Sequence, residues 1–362
     1  MKKMAEDEIK VSAPGRLCLL GEHQDYFGLS IIAMAINRRI TISGRKRNDH
    51  HLKIDLPDTD ERDEFHLGQE LPYRQERDYL RSTVNILFRE GIWPEIGWDC
   101  SITGSIPINS GTASSSALVV AWTKFLLEAA KHPLANNPQA LAELSFKAEV
   151  KEFKEPGGKM DHFSSSLGGL IHLSFSPKFK ITKFKTSLQE FVLADSLEKK
   201  DTTGLLSYIK TNVYQAVASL RKKVKNFNLN TPLNRETLAE INKLEEEKKR
   251  LLLGTLLTRD LIGEGTKAFQ ARNFNHQHFG DLLNRQHQIL RDYLHISTSK
   301  IEEMIKTSLQ AGALGAKING SGGGGCIFAY APQKANKVAK ALENMGTKAY
   351  IVKMDYGVKR EK

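Results

Sequence analysis

The segment Pro107-Ile108-Asn109-Ser110-Gly111-Thr112-Ala113-Ser114-Ser115-Ser116-Ala117 joins small and hydroxylated residues to the start of a helical pattern. Backbone N–H groups in such a turn, backed by the partial positive charge of a helix N-terminus, attract phosphate oxygens. Hydroxyls at that point are suitable ligands for Mg²⁺, which shares its remaining positions with phosphates and water. No lysine stands at the helix start, so this is not a GxxxxGK[ST] loop. Taken alone, the segment reads equally well as serine capping of a buried helix.

Three further segments have chemical potential. In Asn319-Gly320-Ser321-Gly322-Gly323-Gly324-Gly325-Cys326, four consecutive glycines carry a large ordering entropy, which argues that some group must approach the backbone closely. A flexible linker is the other reading, but linkers are not usually wedged between Gly315-Ala316-Lys317-Ile318 and Cys326-Ile327-Phe328-Ala329. The run from Ala13 to Tyr26 is an apolar strand ending in Glu22-His23-Gln24-Asp25. These side chains offer donors and acceptors to a polyhydroxylated ligand, and Arg16 adds a permanent cation. A solvated turn and a metal site are the alternatives, although the i, i+4 spacing of HExxH is absent. Finally, Asp161 follows Gly157-Gly158, with Glu149 twelve residues earlier on the preceding helix. By itself an Asp after such a turn is a cap or turn residue, and it becomes a candidate base only in company.

The elements that must carry these segments follow from periodicity. Lys10 to Leu20, Ser30 to Ser43 and Asp99 to Ile106 are β-rich, and Tyr79 to Glu90 is helical. Ser115 to Lys131 and Pro138 to Lys151 are expected as helices, and Leu170 to Phe175 as a strand. From about Gln189 the chain becomes mainly helical, with helices over Thr237 to Leu253, Thr255 to Arg272 and Asp281 to Leu294. The strands Cys326 to Tyr330 and Lys348 to Lys353 close it. At 362 residues two domains are expected, and the change of character divides the chain into 1–190 and 191–362.

Apolar residues at 40% and charged residues at 26% describe a globular chain able to bury a core. The beginning, MKKMAEDEIKVSAPG, lacks the apolar run of a secretory signal, and no stretch approaches a membrane span of ~18 apolar residues. Cys18, Cys100 and Cys326 are too scattered for a disulfide framework or a CxxC metal site, so a cytoplasmic setting is expected. The net charge of +11 suits an enzyme acting on polyanionic phosphates. It is spread along the chain, as in Glu245 to Arg250 where acids and bases alternate by helical turn, and nucleic acid is not an expected partner.

Together and in this order, the segments resemble the GHMP kinases, the superfamily of galactokinase, homoserine kinase, mevalonate kinase and phosphomevalonate kinase. The serine loop stands where the family reads PxxxGLxSSxA, and Asn319 to Cys326 matches its C-terminal glycine motif. Gly15-Arg16-Leu17-Cys18-Leu19-Leu20-Gly21-Glu22-His23-Gln24-Asp25-Tyr26 is similar to the galactokinase signature GRVNLIGEHTDY, and Leu282 to Tyr293 resembles another galactokinase segment.

The resemblance implies an α+β fold of two lobes, an N-terminal lobe like ribosomal protein S5 domain 2 and a ferredoxin-like C-terminal lobe, with the active site in the cleft between them. It implies ATP as co-substrate with Mg²⁺, a small sugar as acceptor, and a monomer or small homo-oligomer. Carried over, Arg16 and Asp161 are catalytic, Glu22, His23 and Asp25 bind the sugar, and Ser115 and Glu149 hold the metal. Ser110, Gly111, Thr112, Ala113, Ser114, Ser115, Ser116, Gly322 and Gly323 bind ATP. The product would be a sugar 1-phosphate, with galactose the first candidate. Uronic acid, arabinose, fucose, heptose and mevalonate kinases, or a sugar sensor without turnover, are the alternatives. The chain departs from the galactokinase pattern at Cys18, at Thr112-Ala113, and at Lys159-Met160-Asp161-His162, where Ile-Met-Asp-Gln is typical.

Overall fold

The computed structural model describes residues 7–107, 111–198 and 202–361. Strand β1 (Glu8–Leu20) and strand β2 (Ile31–Lys46) pair antiparallel along nearly their whole length, with irregularities in register between Pro14 and Arg16 and between Cys18 and Leu20. Beyond Ser12 every residue of β1 is buried, because helices cover it on both sides. That accounts for its unbroken apolar run Leu17-Cys18-Leu19-Leu20. A hairpin, β3 (His51–Leu56) and β4 (Glu61–His66), precedes helix α1 (Tyr79–Arg89), which Asp78 caps through its side chain. Strand β5 (Trp98–Gly104) then leads into the serine loop and α2 (Ser114–Ala129).

Helix α3 (Pro138–Phe146) continues into a π-helical turn at Lys147–Lys151, and α4 (Met160–Leu167) follows. Strands β6 (Leu170–Ser174) and β7 (Lys180–Phe184) complete this part. The first sheet has eight strands in the order β12-β1-β2-β5-β3-β4, where β12 is the last strand of the chain (Lys359–Arg360), and β6 joins it through β2 and carries β7. One edge of the long β2 thus serves β5 at Ile40–Lys46 and β6 at Ile31–Met34.

Strand β8 (Phe191–Asp195) opens a second sheet, and five helices follow: α5 (Thr202–Arg221), α6 (Arg235–Ile241), α7 (Glu246–Gln270), α8 (His276–Asp292) and α9 (Ser299–Gln310). The remaining elements are β9 (Gly315–Ile318), β10 (Cys326–Tyr330), α10 (Ala335–Glu343), β11 (Lys348–Val352) and β12 (Lys359–Arg360). The second sheet runs β11-β8-β10-β9, antiparallel throughout. The last strand, β12, returns to pair with β1 at Val11 and Ser12. Arg39 holds this return by bonding the Asp355 carboxylate at 2.8 Å and the carbonyls of Tyr356 and Gly357.

A buried apolar seam joins the two sheets. Leu17, Leu19, Leu20, Ile32 and Met34 pack in one cluster with Phe191, Phe279, Phe328 and Tyr330. Separate cores lie beneath α2, around Trp122 and Phe125, and among α5, α7 and the second sheet, around Val213, Leu256 and Ile327. Burial on this scale, at about 25 cal/mol per Å² of apolar surface, fixes the sheets relative to each other and so fixes the groove between them.

The helix boundaries of the second half differ from the periodicity. The expected pair over Thr237 to Leu253 and Thr255 to Arg272 is instead α6 followed by the single α7, which runs through Gly254. A Cβ there would lie 2.5 Å from Leu294 and 2.6 Å from Tyr293, so glycine allows the tight approach of the α8 terminus rather than ending the helix. Among the described residues, no helix is long and apolar enough to cross a membrane.

Candidate active site

A cavity of about 990 Å³ lies between the sheets, lined from the first by Arg16, Glu22, Asp25, Ser114, Ser115, Ser116, Glu149 and Asp161 and from the second half by Asp195, Thr202, Gly320 and Ser321. At its centre Arg16 and Asp161 meet. Arg16 Nε donates to Asp161 Oδ1 at 2.8 Å and Nη2 to Oδ2 at 3.0 Å, a two-pronged contact in the fork geometry that guanidinium and carboxylate share. Nη1 donates to the Gly111 carbonyl, and the Arg16 N–H donates to the Thr112 carbonyl at 3.1 Å. The Arg16 side chain is only 4% exposed, whereas Asp161 is 29% exposed and open to the cavity. One carboxylate is therefore aimed by a fixed guanidinium while remaining accessible to an incoming hydroxyl.

The turn after β1 forms the next wall. Asp25 accepts from the amides of Tyr26 at 3.0 Å and Met160 at 2.9 Å, which ties the turn to the start of α4. Gly158 permits this contact, since a Cβ there would sit 2.1 Å from Asp25 Oδ2. Burial pushes the Asp25 carboxyl up to about 6, the charge of Asp161 adds to this, and the two amides and Arg16 oppose it. Glu22 is wholly buried and paired with Lys317, while its Oε2 has no partner among the described residues. His23 sits at φ +61°, a strained value for a non-glycine residue. Its Nε2 lies 2.9 Å from the Ser321 carbonyl, so it must donate there, and Nδ1 accepts from the Tyr26 hydroxyl at 2.7 Å.

Ser114, Ser115 and Ser116 begin α2 and face the cavity, preceded by Ala113 in the left-handed conformation. Ser110 lies outside the described residues. Glu149 projects from the π-helical turn; such insertions are frequent at functional sites. Burial alone would push its carboxyl up, but His162 and the hydroxyls of Ser116 and Ser115 outweigh that and hold it below the ordinary carboxylate range. No cluster of three or more His, Cys, Asp or Glu able to hold a metal exists among the described residues. One carboxylate with serine hydroxyls beside it is instead a set of hard oxygen donors that fits Mg²⁺ arriving with phosphates and keeping its waters.

This architecture has relatives of known structure. A galactokinase from Lactococcus lactis, complexed with galactose, superposes with a TM-score of 0.85 at 22% identity, covering 99% of this chain and 98% of that one. The family description of the GHMP kinases N terminal domain matches residues 78–169, that of GHMP kinases C terminal matches 267–348, and the galactokinase galactose-binding signature matches 2–46. A galactokinase of Actinobacillus succinogenes is 31% identical over 341 residues, which is 90% of this chain and 86% of that protein. The chain belongs to the GHMP kinases. A mevalonate kinase of Thermococcus onnurineus is also similar to it, 27% identical over 363 residues and 98% of both chains.

In this GHMP kinase the residues expected at the ATP phosphates do not all line the cavity. Gly320 and Ser321 line the cavity, but Gly322 packs against Ile296, and Gly323 against Leu205 with its amide donating to the Ile296 carbonyl. Of this run only Gly320 and Ser321 line the cavity, and β10 begins at Cys326. Thr112 points inward, its hydroxyl bonding the Pro107 carbonyl at 3.3 Å. Lys159, one of the departures from the galactokinase pattern, faces α3 and bonds both oxygens of Glu143 at 2.6 and 2.8 Å. Asn319 holds the two loops together, accepting from the Cys18 amide at 3.0 Å and donating to the Gly111 carbonyl at 2.9 Å.

Other cavity groups carried no local signal. Ile40, Leu56, Ile102, Ile106 and Leu118 make an apolar wall beyond the serine loop, and they read in sequence as ordinary core positions. The pairings of Lys317 with Glu22 and of His162 with Glu149 are likewise unreadable without the fold. The only hint was their place beside the glycine run and Asp161.

Proposed function

We propose that this kinase transfers the γ-phosphoryl group of Mg·ATP to a monosaccharide, at its anomeric C1 hydroxyl, with galactose the first candidate acceptor. The observation that carries the reading is the Arg16–Asp161 fork, open on its carboxylate side between the serine loop and the Glu22/Asp25 turn. Asp161 would accept the proton of the attacking hydroxyl, and Arg16 would orient that carboxylate and offset charge on the transferring group. Phosphoryl transfer has a loose transition state, so positioning and charge stabilisation do most of the work.

Ser115 and Glu149 would hold the magnesium ion, which when bound neutralises phosphate charge. The α2 N-terminus and the amides of Gly111 to Ser116 would cradle the phosphates. The apolar wall of Ile40, Leu56, Ile102 and Ile106 has the character to take the base. We read the chain as two lobes divided near residue 190, where the second sheet begins.

The excess of carboxylates over Lys and Arg in the cavity lining supports a neutral polyol over a carboxylate acceptor such as mevalonate or a uronic acid. Among the described cavity residues, Arg16 and Arg77 are the only Lys or Arg, and Arg16 is committed to Asp161. Against them stand eight carboxylates: Glu22, Asp25, Asp58, Glu149, Glu155, Asp161, Asp195 and Glu198. Coupled ADP release with Mg·ATP, run against hexoses, pentoses, uronic acids and mevalonate, tests the reading. Turnover on a neutral sugar is the expected result, and turnover on mevalonate alone would overturn it.

A further inference from the structure

Helix α4 presents two consecutive side chains to two different partners. Asp161 turns to Arg16, and His162 turns to Glu149. The His162 Nε2 lies 2.6 Å from Glu149 Oε2, with the two side chains only 2% and 8% exposed. Because a carboxylate can only accept, Nε2 carries the proton in this contact. The other ring nitrogen, Nδ1, is buried without a partner among the described residues, and the edge of the ring packs against Phe146 at 5.7 Å between centroids. The imidazole is thus fixed by packing on α3 and spends its one polar contact on Glu149.

Glu149 itself needs such a support. It stands on a π-helical turn, where the backbone ladder is locally irregular, and it shares its carboxylate with the hydroxyls of Ser115 and Ser116. A flexible carboxylate on an irregular turn would sample several rotamers. A single N–H directed at Oε2 selects one of them, with the carboxylate beside the hydroxyls of Ser115 and Ser116 at the start of α2.

We infer that His162 is a positioning residue: through its Nε2–H it fixes the Glu149 carboxylate in the orientation that receives the divalent cation of the bound nucleotide. This rests on the reading that Glu149 holds that cation. Outer groups that orient a metal-binding carboxylate typically change metal affinity or activity by about 10- to 100-fold when removed. Glutamine carries an amide N–H near the position of the imidazole Nε2, whereas leucine fills the space without a donor and asparagine is too short to reach.

The test uses Mn²⁺ as the probe, titrated by electron paramagnetic resonance into the full-length protein with saturating ADP, so that no turnover enters the measurement. H162L is expected to weaken Mn²⁺ binding roughly 10- to 100-fold, and H162Q to restore it to within a few-fold of the parent. The Mg²⁺ concentration for half-maximal activity should move in parallel while the sugar KM stays put. E149Q serves as the reference, and it too should weaken the ion. If H162L fails to fold, H162N against H162Q makes the same comparison. Weak binding in E149Q with unchanged binding in H162L, or with H162Q as poor as H162L, would overturn the positioning role alone. Unchanged Mn²⁺ binding in E149Q would remove the cation reading of Glu149 and the inference with it.

Discussion

Lys317 and Glu22, 295 positions apart in the chain, form an ion pair in which neither side chain has any exposure. The ammonium also donates to the carbonyls of Cys18 at 3.1 Å and Ile318 at 2.8 Å, so its three N–H groups meet three acceptors. The contact fastens β9 of the second sheet to the end of β1 in the first. It secures one Glu22 oxygen, while the other is buried without a partner among the described residues.

Removing one member of such a pair strands a buried charge. K317M is expected to lower the unfolding free energy by about 3–5 kcal/mol, measured by guanidinium denaturation. The double variant E22Q/K317M should be less damaged than K317M, since neither charge is then left alone. Additive losses would contradict the pairing.

Asp161 is the group with both a fixed orientation and access to the cavity. D161N keeps its shape but cannot take a proton, so kcat should fall by roughly 10²- to 10⁴-fold. The sugar KM should change little. Single-turnover ADP formation separates the two, and near-parental turnover would remove Asp161 from the base role.

The raised carboxyl of Asp25, at about 6, gives two pH effects of opposite sense. Protonation below about pH 6 removes an acceptor from the sugar turn, so the sugar KM should rise as pH falls through 6, and D25N should flatten that limb. For folding the sign is reversed. The native state binds the proton more tightly than an ordinary Asp, so Asp25 contributes stability below about pH 4 that is lost as pH rises through 6. KM measured from pH 5 to 8 in both proteins, with melting curves over the same range, checks both statements.

At Gly158 the Asp25 carboxylate occupies the space where a Cβ would be. G158A must therefore push Asp25 away from the Met160 amide. A stability loss of about 1–3 kcal/mol and a raised sugar KM are expected together in thermal denaturation and steady-state kinetics. A parental KM would mean that Asp25 does not meet the sugar.

The sequence made much of the site readable because its polar residues are concentrated in short runs. The serine loop before α2, the Glu22 to Asp25 turn and the Asp161 helix start each sit at a strand or helix terminus, and local composition marks termini. The hairpin β3–β4 and helices α5, α9 and α10 have no such local mark. Their patterns are mixed, and packing against distant elements, rather than propensity, sets their ends.

What the sequence alone determined is a local matter: which residues can accept a proton, cradle a phosphate or ligate a cation, and that each lies where the chain turns. Which of them face one another was decided only by tertiary structure. Arg16 reaches Asp161 across 145 positions, Lys317 reaches Glu22 across 295, and His162 rather than Lys159 turns to the cavity. The register of two sheets and the seam that joins them select these pairs. Neither is encoded in any one segment, because both arise from burying apolar faces contributed by the whole chain.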